Sequence, residues 1–167
     1  PQQYIEGIHP VFAIHGDGPY LIDSTGKKYI DTLSALGAVI LGYNNKRVNT
    51  AVKEAIDHHG SGVFSLPHEY EYILAEMLVE RIPGCEMVRF AKNGVDVCAA
   101  AVRLARAYTG REKIMSLGYH GHWDQFVVNT PKNGGVLKSR KKYLVEFSFD
   151  RIEDAITRLK VGRDKFA

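Results

Sequence analysis

The sequence has little to offer a disulfide framework, a nucleic acid or a membrane. Its 167 residues include only two cysteines, Cys85 and Cys98. Their spacing suits no metal site, so reduced thiols in a reducing, cytoplasmic compartment are expected rather than a cross-linked secreted scaffold. Positive charge barely exceeds negative: 22 Lys and Arg against 19 Asp and Glu leave a formal +3, too small for a nucleic-acid surface. The one dense basic run, Lys138, Arg140, Lys141 and Lys142, has no interleaved aromatic residues and reads as a solvated loop. No apolar run approaches the ~20 residues of a membrane span. There is no signal peptide; the chain starts at Pro1 rather than Met, which predicts a further N-terminal piece. His120 and His122, with Asp124 nearby, are too few ligands for zinc, and no metal is expected. What is present is ordinary for a globular protein: 45% hydrophobic and 25% charged residues, and length for one domain with a core.

Along the chain, residues 11–14, 20–23 and 29–33 read as three short strands. They are separated by His15-Gly16-Asp17-Gly18 and Ser24-Thr25-Gly26-Lys27, which carry turn chemistry, so an antiparallel β meander is predicted. Residues 34–43 are small and apolar and predict a buried irregular connection. Asn45 can cap a helix whose Val48, Val52, Ala55, Ile56 and His59 form an inward stripe, with Gly60 as its stop. After the Gly/Ser-rich loop 60–66, Pro67 fits a first helical position, with Glu69 and Glu71 near the positive helix end. Tyr70, Leu74, Met77, Leu78 and Ile82 are read as a core face, and Pro83-Gly84 as the terminator. The composition shifts from β-rich to α/β, predicting a first part at 1–59 and a second at 60–167.

The most informative stretch is 87–111. Met87 to Phe90 suits a buried strand, while Val97, Ala101, Leu104, Ala105 and Tyr108 recur at helical spacing. Between them Lys92-Asn93-Gly94-Val95-Asp96 must turn the chain and open the helix. Unpaired N–H groups and the helix dipole make such a start an anion site. A second apolar run, 114–117, makes this a βαβ unit with parallel strands. Residues 143–147 suit a third strand. Asp150 and Glu153 suit a capping box for a last helix that turns Ile152, Ala155, Ile156 and Leu159 inward and closes at Gly162.

Ligands of an open parallel sheet sit beyond the carboxyl ends of its strands. That rule puts loops 91–95 and 118–124 on one edge. The first offers backbone donors and Asn93; the second offers Tyr119, His120, His122 and Trp123. Aromatic rings beside an anion site suit a flat, phosphorylated ligand. Plainer readings stand beside this one: Asn93 as a simple N-cap, Asp96 as a first-turn acid, Tyr119 as core packing, and His120 and His122 as a solvated pair.

Several stretches resemble, in order and spacing, the N-terminal part of class III pyridoxal-phosphate-dependent aminotransferases, glutamate-1-semialdehyde aminomutase-like members above all. They are Gly18-Pro-Tyr-Leu-Ile-Asp23 with Gly26-Lys-Lys-Tyr-Ile-Asp31, Ile40-Leu-Gly-Tyr43, Glu86-Met-Val-Arg-Phe90, Arg103-Leu-Ala-Arg-Ala-Tyr-Thr-Gly-Arg111 and Tyr119-His-Gly-His122. The resemblance implies an α/β fold, the N-terminal part of a fold type I transferase: a β meander from the small domain, then a mostly parallel sheet with flanking helices from an incomplete large domain. It implies pyridoxal 5'-phosphate as cofactor and a small amine or carbonyl compound as substrate, with the amino group passing through an aldimine and pyridoxamine phosphate. Cofactor contacts fall on Asn93, Gly94 and Val95 for the phosphate, on Tyr119 for the ring, and on His120 beside it. Ser65 falls in a loop that approaches the partner subunit's site, and a homodimer is implied.

Two departures stand out. Val95 replaces a Thr or Ser, removing a hydroxyl whose hydrogen bond to a charged group is worth about 1.5–3 kcal/mol. Leu36 stands in a neighbourhood where the aminomutases carry Trp. The family's Schiff-base lysine and the acid that holds the pyridine nitrogen come from later strands, and no lysine here has a matching context. The expectation is therefore an enzyme parent, with no catalytic residue among these 167 and no activity from them alone. The alternative is a truncated, non-catalytic relative with a weak phosphate site or a dimerisation surface.

Overall fold

Two aspartates organise the first of the two units into which the chain divides, Pro1–His68 and Glu69–Ala167. The computed structural model describes residues 5–9, 12–62, 64–162 and 165–167. Strands β1 (Ala13–Asp17), β2 (Tyr20–Asp23) and β3 (Lys28–Ile30) form the expected antiparallel meander in that order. Its first strand runs later than the sequence suggests. Val11 lies outside the described residues, and His15, Gly16 and Asp17 pair within the sheet, Asp17 against Tyr20. The turn is only Gly18-Pro19, where Gly18 takes a positive φ of 51° that suits the primed turns closing two-residue hairpins. At the β2–β3 turn the Asp23 carboxylate accepts from the Thr25 N–H (2.8 Å) and hydroxyl (2.7 Å), the Lys27 N–H (3.0 Å) and the Tyr29 hydroxyl (2.9 Å). These donors hold its pKa down at about 2.

Asp31 ends β3 earlier than the expected Leu33, because its carboxylate gathers three N–H groups just beyond Thr32, those of Leu33 (2.9 Å), Ser34 (3.2 Å) and Ala35 (3.2 Å). Ser34, Ala35 and Leu36 all have positive φ, which costs about 1–2 kcal/mol per non-glycine residue. The carboxylate offsets that strain by collecting the N–H groups the turn points inward. The Tyr43 hydroxyl donates to the same carboxylate at 2.7 Å, so Asp31 is held below and Tyr43 pushed above its ordinary pKa. Tyr43 also bridges Gly18 through a pair of backbone bonds of 3.0 and 2.8 Å. The expected buried connection at 34–43 is not buried: Leu36, Ile40 and Leu41 are exposed, since a turn ordered by one carboxylate leaves its side chains pointing outward.

Helix α1 (Lys46–His59) begins and ends as expected: the Asn45 side chain accepts from the Val48 N–H, and Gly60 closes it in the left-handed conformation. Its stripe is not core, however; Val48, Val52 and Ile56 are exposed. Helix α2 (Glu69–Arg81) starts two residues after Pro67 rather than at it, with Glu69 and Glu71 in its first turn. Its expected core face is also uncovered, with Tyr70, Leu74, Met77 and Ile82 exposed.

The apolar core lies in the second unit. Ile114 of β4 (Ile114–Ser116), Leu144 of β5 (Leu144–Glu146) and Val128 form its centre, with Val102, Phe126, Val136 and Ala167 packed around them. Strands β4 and β5 pair in parallel, Ile114 against Leu144. The expected parallel relation is therefore present, but not with residues 87–90. That stretch forms no strand, and Met87 is 88% exposed, because no described strand lies beside it to take its N–H and C=O groups. Helix α3 (Gly94–Thr109) precedes β4. Its covered face is Val95, Cys98, Ala99, Val102, Ala105, Arg106 and Thr109, a set of mostly small side chains at helical spacing. The expected stripe lies mostly on the opposite face: Val97, Leu104 and Tyr108 are exposed, and of its members only Ala105 is covered. Large side chains drew attention to the wrong side, while small ones let the helix approach the core. In the last helix, α5 (Ile152–Val161), only Ala155 is buried. No Asp150–Glu153 capping box forms, since Asp150 lies in a 3-10 turn and accepts from the Ser148 hydroxyl; Gly162 does close the helix on Arg158.

Candidate functional site

Helix α3 opens at Gly94, with Asn93 as its extended N-cap residue. The Asp96 carboxylate reaches back to accept from the Asn93 N–H (3.2 Å) and from its side-chain amide (3.1 Å). The Asn93 carbonyl takes the Asp96 and Val97 N–H groups at 3.1 and 3.3 Å. The N–H groups of Gly94 and Val95 find no acceptor among the described residues, as the first positions of a helix dictate. They point along the positive end of the dipole. Asp96 is turned to its own N-cap and satisfied by two donors, and one amide hydrogen of Asn93 is still free.

Loop 118–123 meets this helix end at one residue that sequence reasoning passed over. A Cβ on Gly121 would lie 2.6 Å from the Val95 Cβ and 2.7 Å from its Cγ2, and Gly121 has a φ of 105°. No other residue type fits there without moving the helix or the loop. The signal was available in the Tyr-His-Gly-His run, where a glycine between two ring-bearing residues marks close backbone approach. Val95 thus fills, with its Cβ and Cγ2, the space that a side chain at Gly121 would need.

The other expected residues take different places. Tyr119 is 82% exposed and stands two residues from Gly121, within about 7 Å of it along the chain; its ring is uncovered and available for stacking, and the reading of Tyr119 as core packing fails. His120 is half-buried, its ring 5.4 Å from Phe126 of α4 (Asp124–Val127), and Trp123 meets the same Phe126 edge-on at 5.4 Å. His122 is exposed. No group of three or more potential metal-ligating residues is found among the described residues, and no described helix is long and apolar enough to cross a membrane. Two unpaired N–H groups, a free amide hydrogen, an open tyrosine ring and no uncompensated acid suit a phosphorylated aromatic group.

The model of the class III aminotransferase family matches residues 4–161. The chain belongs to that family. Among its relatives, 3-aminobutyryl-CoA aminotransferase of Cloacimonas acidaminovorans is 35% identical over all of this chain and 39% of that protein. Glutamate-1-semialdehyde 2,1-aminomutase of Chloroherpeton thalassium is 36% identical over 88% of this chain and 36% of that protein. Among solved structures, a transaminase with pyridoxal phosphate bound superposes with a TM-score of 0.80 at 29% identity, over 92% of this chain and 38% of that one. The class III aminotransferase chain therefore spans about two fifths of the length of the relatives it matches. Its fold is that of the N-terminal part of such an enzyme, and the cofactor of the family is pyridoxal phosphate. The residues at the α3 N-terminus fit that group, with one hydroxyl fewer than the expected pattern.

Proposed function

We propose that these residues bind the phosphate and one ring face of pyridoxal phosphate in an enzyme that moves an amino group between a small amine and a carbonyl compound. The observation that supports this most is the seating of Gly121 on Val95, which puts the loop carrying Tyr119 beside two unpaired N–H groups. The Gly94 and Val95 N–H groups and the Asn93 amide donate to phosphate oxygens, in the part of the helix field that favours an anion. Tyr119 would supply the ring that stacks on the cofactor, with His120 beside it. Phosphate and ring contacts together fix the orientation in which the substrate amine arrives. When bound, the cofactor supplies the electron sink for amino-group transfer.

In an aminomutase, the member of the family that the glutamate-1-semialdehyde aminomutase-like segments resemble, the same chemistry returns the nitrogen to a neighbouring carbon; in either case the parent works in the cytoplasm as a homodimer in which the Ser65 loop approaches the partner subunit's site. Residues 1–59 belong to its small domain and 60–167 to the first part of its cofactor domain. The Schiff-base lysine is not among these residues, so the 167 alone are inactive. One observation favours the alternative of a truncated, non-catalytic relative with a weak phosphate site or a dimerisation surface: Val95 brings no hydroxyl to the helix start.

Pyridoxal phosphate titrated into the chain, with borohydride reduction and peptide mapping of the product, separates these points. The expected result is saturable binding, relieved by inorganic phosphate, with no single lysine labelled stoichiometrically. Absence of saturable binding overturns the phosphate site. One fully labelled lysine overturns the assignment of that lysine to other residues.

A further inference from the structure

Gln125 is the most deeply buried large side chain in the described residues, 1% exposed, and the cofactor contacts do not use it. A buried amide costs free energy unless it is hydrogen-bonded. Gln125 is bonded at both ends: its Oε1 accepts from Arg106 Nη2 at 3.3 Å, and its Nε2 donates to the Arg140 carbonyl at 3.2 Å. Arg106 is held in turn by the Glu112 carbonyl, to which its Nε donates at 2.8 Å. The Arg140 side chain returns to Asp124, beside Gln125, at 3.5 Å. One amide therefore joins α3, the short helix α4 and the 3-10 turn Lys138–Tyr143.

The placement of these bonds gives them a purpose beyond packing. Two contacts tie loop 118–123 and the helix that follows it to the same rigid rod. One is the contact of Gly121 with Val95 in the first turn of α3. The other is the bond from Gln125 to Arg106, eleven residues on, or about 16 Å along the helix. Between them Phe126 carries the rings of His120 and Trp123. A four-residue helix has too few internal bonds to fix its own orientation. With Gln125 paired, Phe126 is held, and the loop has one position over the α3 N-terminus.

We propose that Gln125 is a positioning residue: through Arg106 and the Arg140 carbonyl it sets the placement of the Tyr119–Trp123 loop against the Asn93–Val95 turn. Its consequence for cofactor affinity rests on the function proposed above; the placement itself does not. The only tryptophan in the sequence, Trp123, lies within the loop and reports on it without any ligand.

The test is Gln125→Met, which keeps the volume and removes both hydrogen bonds, with Gln125→Glu as the partial rescue that can still accept from Arg106. In the chain without cofactor, acrylamide quenching of Trp123 should rise at least about twofold in Gln125→Met, as expected of local opening, with far-UV circular dichroism unchanged and Gln125→Glu in between. Pyridoxal phosphate affinity should fall in the same order. Unchanged Trp123 quenching in Gln125→Met overturns the proposal. If Gln125→Met does not fold, Arg106→Lys, which removes the guanidinium that bonds Oε1 and the Glu112 carbonyl while keeping the charge, decides by the same readout: raised quenching supports the proposal and unchanged quenching overturns it. If the unaltered chain binds no pyridoxal phosphate while Trp123 responds as stated, the cofactor reading fails and the positioning role stands.

Discussion

The meander and the α3–β4–β5 unit are held together by opposite means. In the first, the residues around 23 and 31 are ordered by carboxylates that each gather four hydrogen bonds, and the only buried residue among the described ones is Asp23 itself. In the second, Ile114, Val128 and Leu144 bury apolar surface, and one amide, Gln125, ties the periphery to it. Hydrogen bonds to a carboxylate are directional and specify a turn, while much of their strength is offset by the water contacts they replace. Apolar burial is non-directional and supplies most of the stability. The first arrangement fixes local shape and the second holds the site's elements together, so substitutions in the two should differ in size and in pH dependence.

The largest effect is expected at Leu144. Leu144→Ala removes a core side chain between β5 and β4 and should destabilise the second unit by about 2–5 kcal/mol. The Trp123-detected urea midpoint should fall accordingly, while tyrosine signals from the meander keep their midpoint. A shift common to both would erase the contrast. Gly121→Ala comes next. Its Cβ would meet Val95 at 2.6 Å, an overpacking that costs about 1–3 kcal/mol. Adding Val95→Gly, which removes the Cβ and Cγ2 that the new methyl meets, should recover part of that loss. Strict additivity in the double variant would mean that the two residues do not press on each other.

Legibility in the sequence followed the same division. Turn and cap chemistry is local, so the Asn45 and Gly60 ends of α1, the opening of α3 at Asn93–Gly94 and the Asp23 turn could be read from a few adjacent residues. Burial is not local. The stripes Val48–Ile56 on α1 and Val97–Tyr108 on α3 satisfy the periodicity of an inward face, yet they are exposed, because periodicity cannot say what lies opposite. The covered face of α3 was read only at Ala105, because its other members are mostly small, two valines, an alanine, a cysteine and a threonine, with an arginine among them. The candidate site was legible in part: Asn93, Gly94 and Tyr119 are proposed from helix-start and ring chemistry. Gly121 and Gln125 matter only through partners 26 and 19 residues away, Val95 and Arg106.

The smallest expected effect belongs to Asp23, and pH reveals it best. Its carboxyl titrates near 2 in the folded chain, against about 3.9 in an unfolded one. A lowered folded-state pKa means that the unfolded chain takes up its proton first as the pH falls. The stabilisation is therefore fully present above about pH 4, declines between about 4 and 2, and is gone below that. Tyrosine near-UV circular dichroism should follow this loss, since Tyr29 donates directly to Asp23. Asp23→Asn should flatten part of the slope and leave the share that comes from Asp31, whose carboxyl is lowered as well. Leu144→Ala should lower stability without changing the slope, because no group at that position titrates. An acid slope identical in Asp23→Asn and the unaltered chain would mean that the four donors around Asp23 hold a shape without favouring a charge.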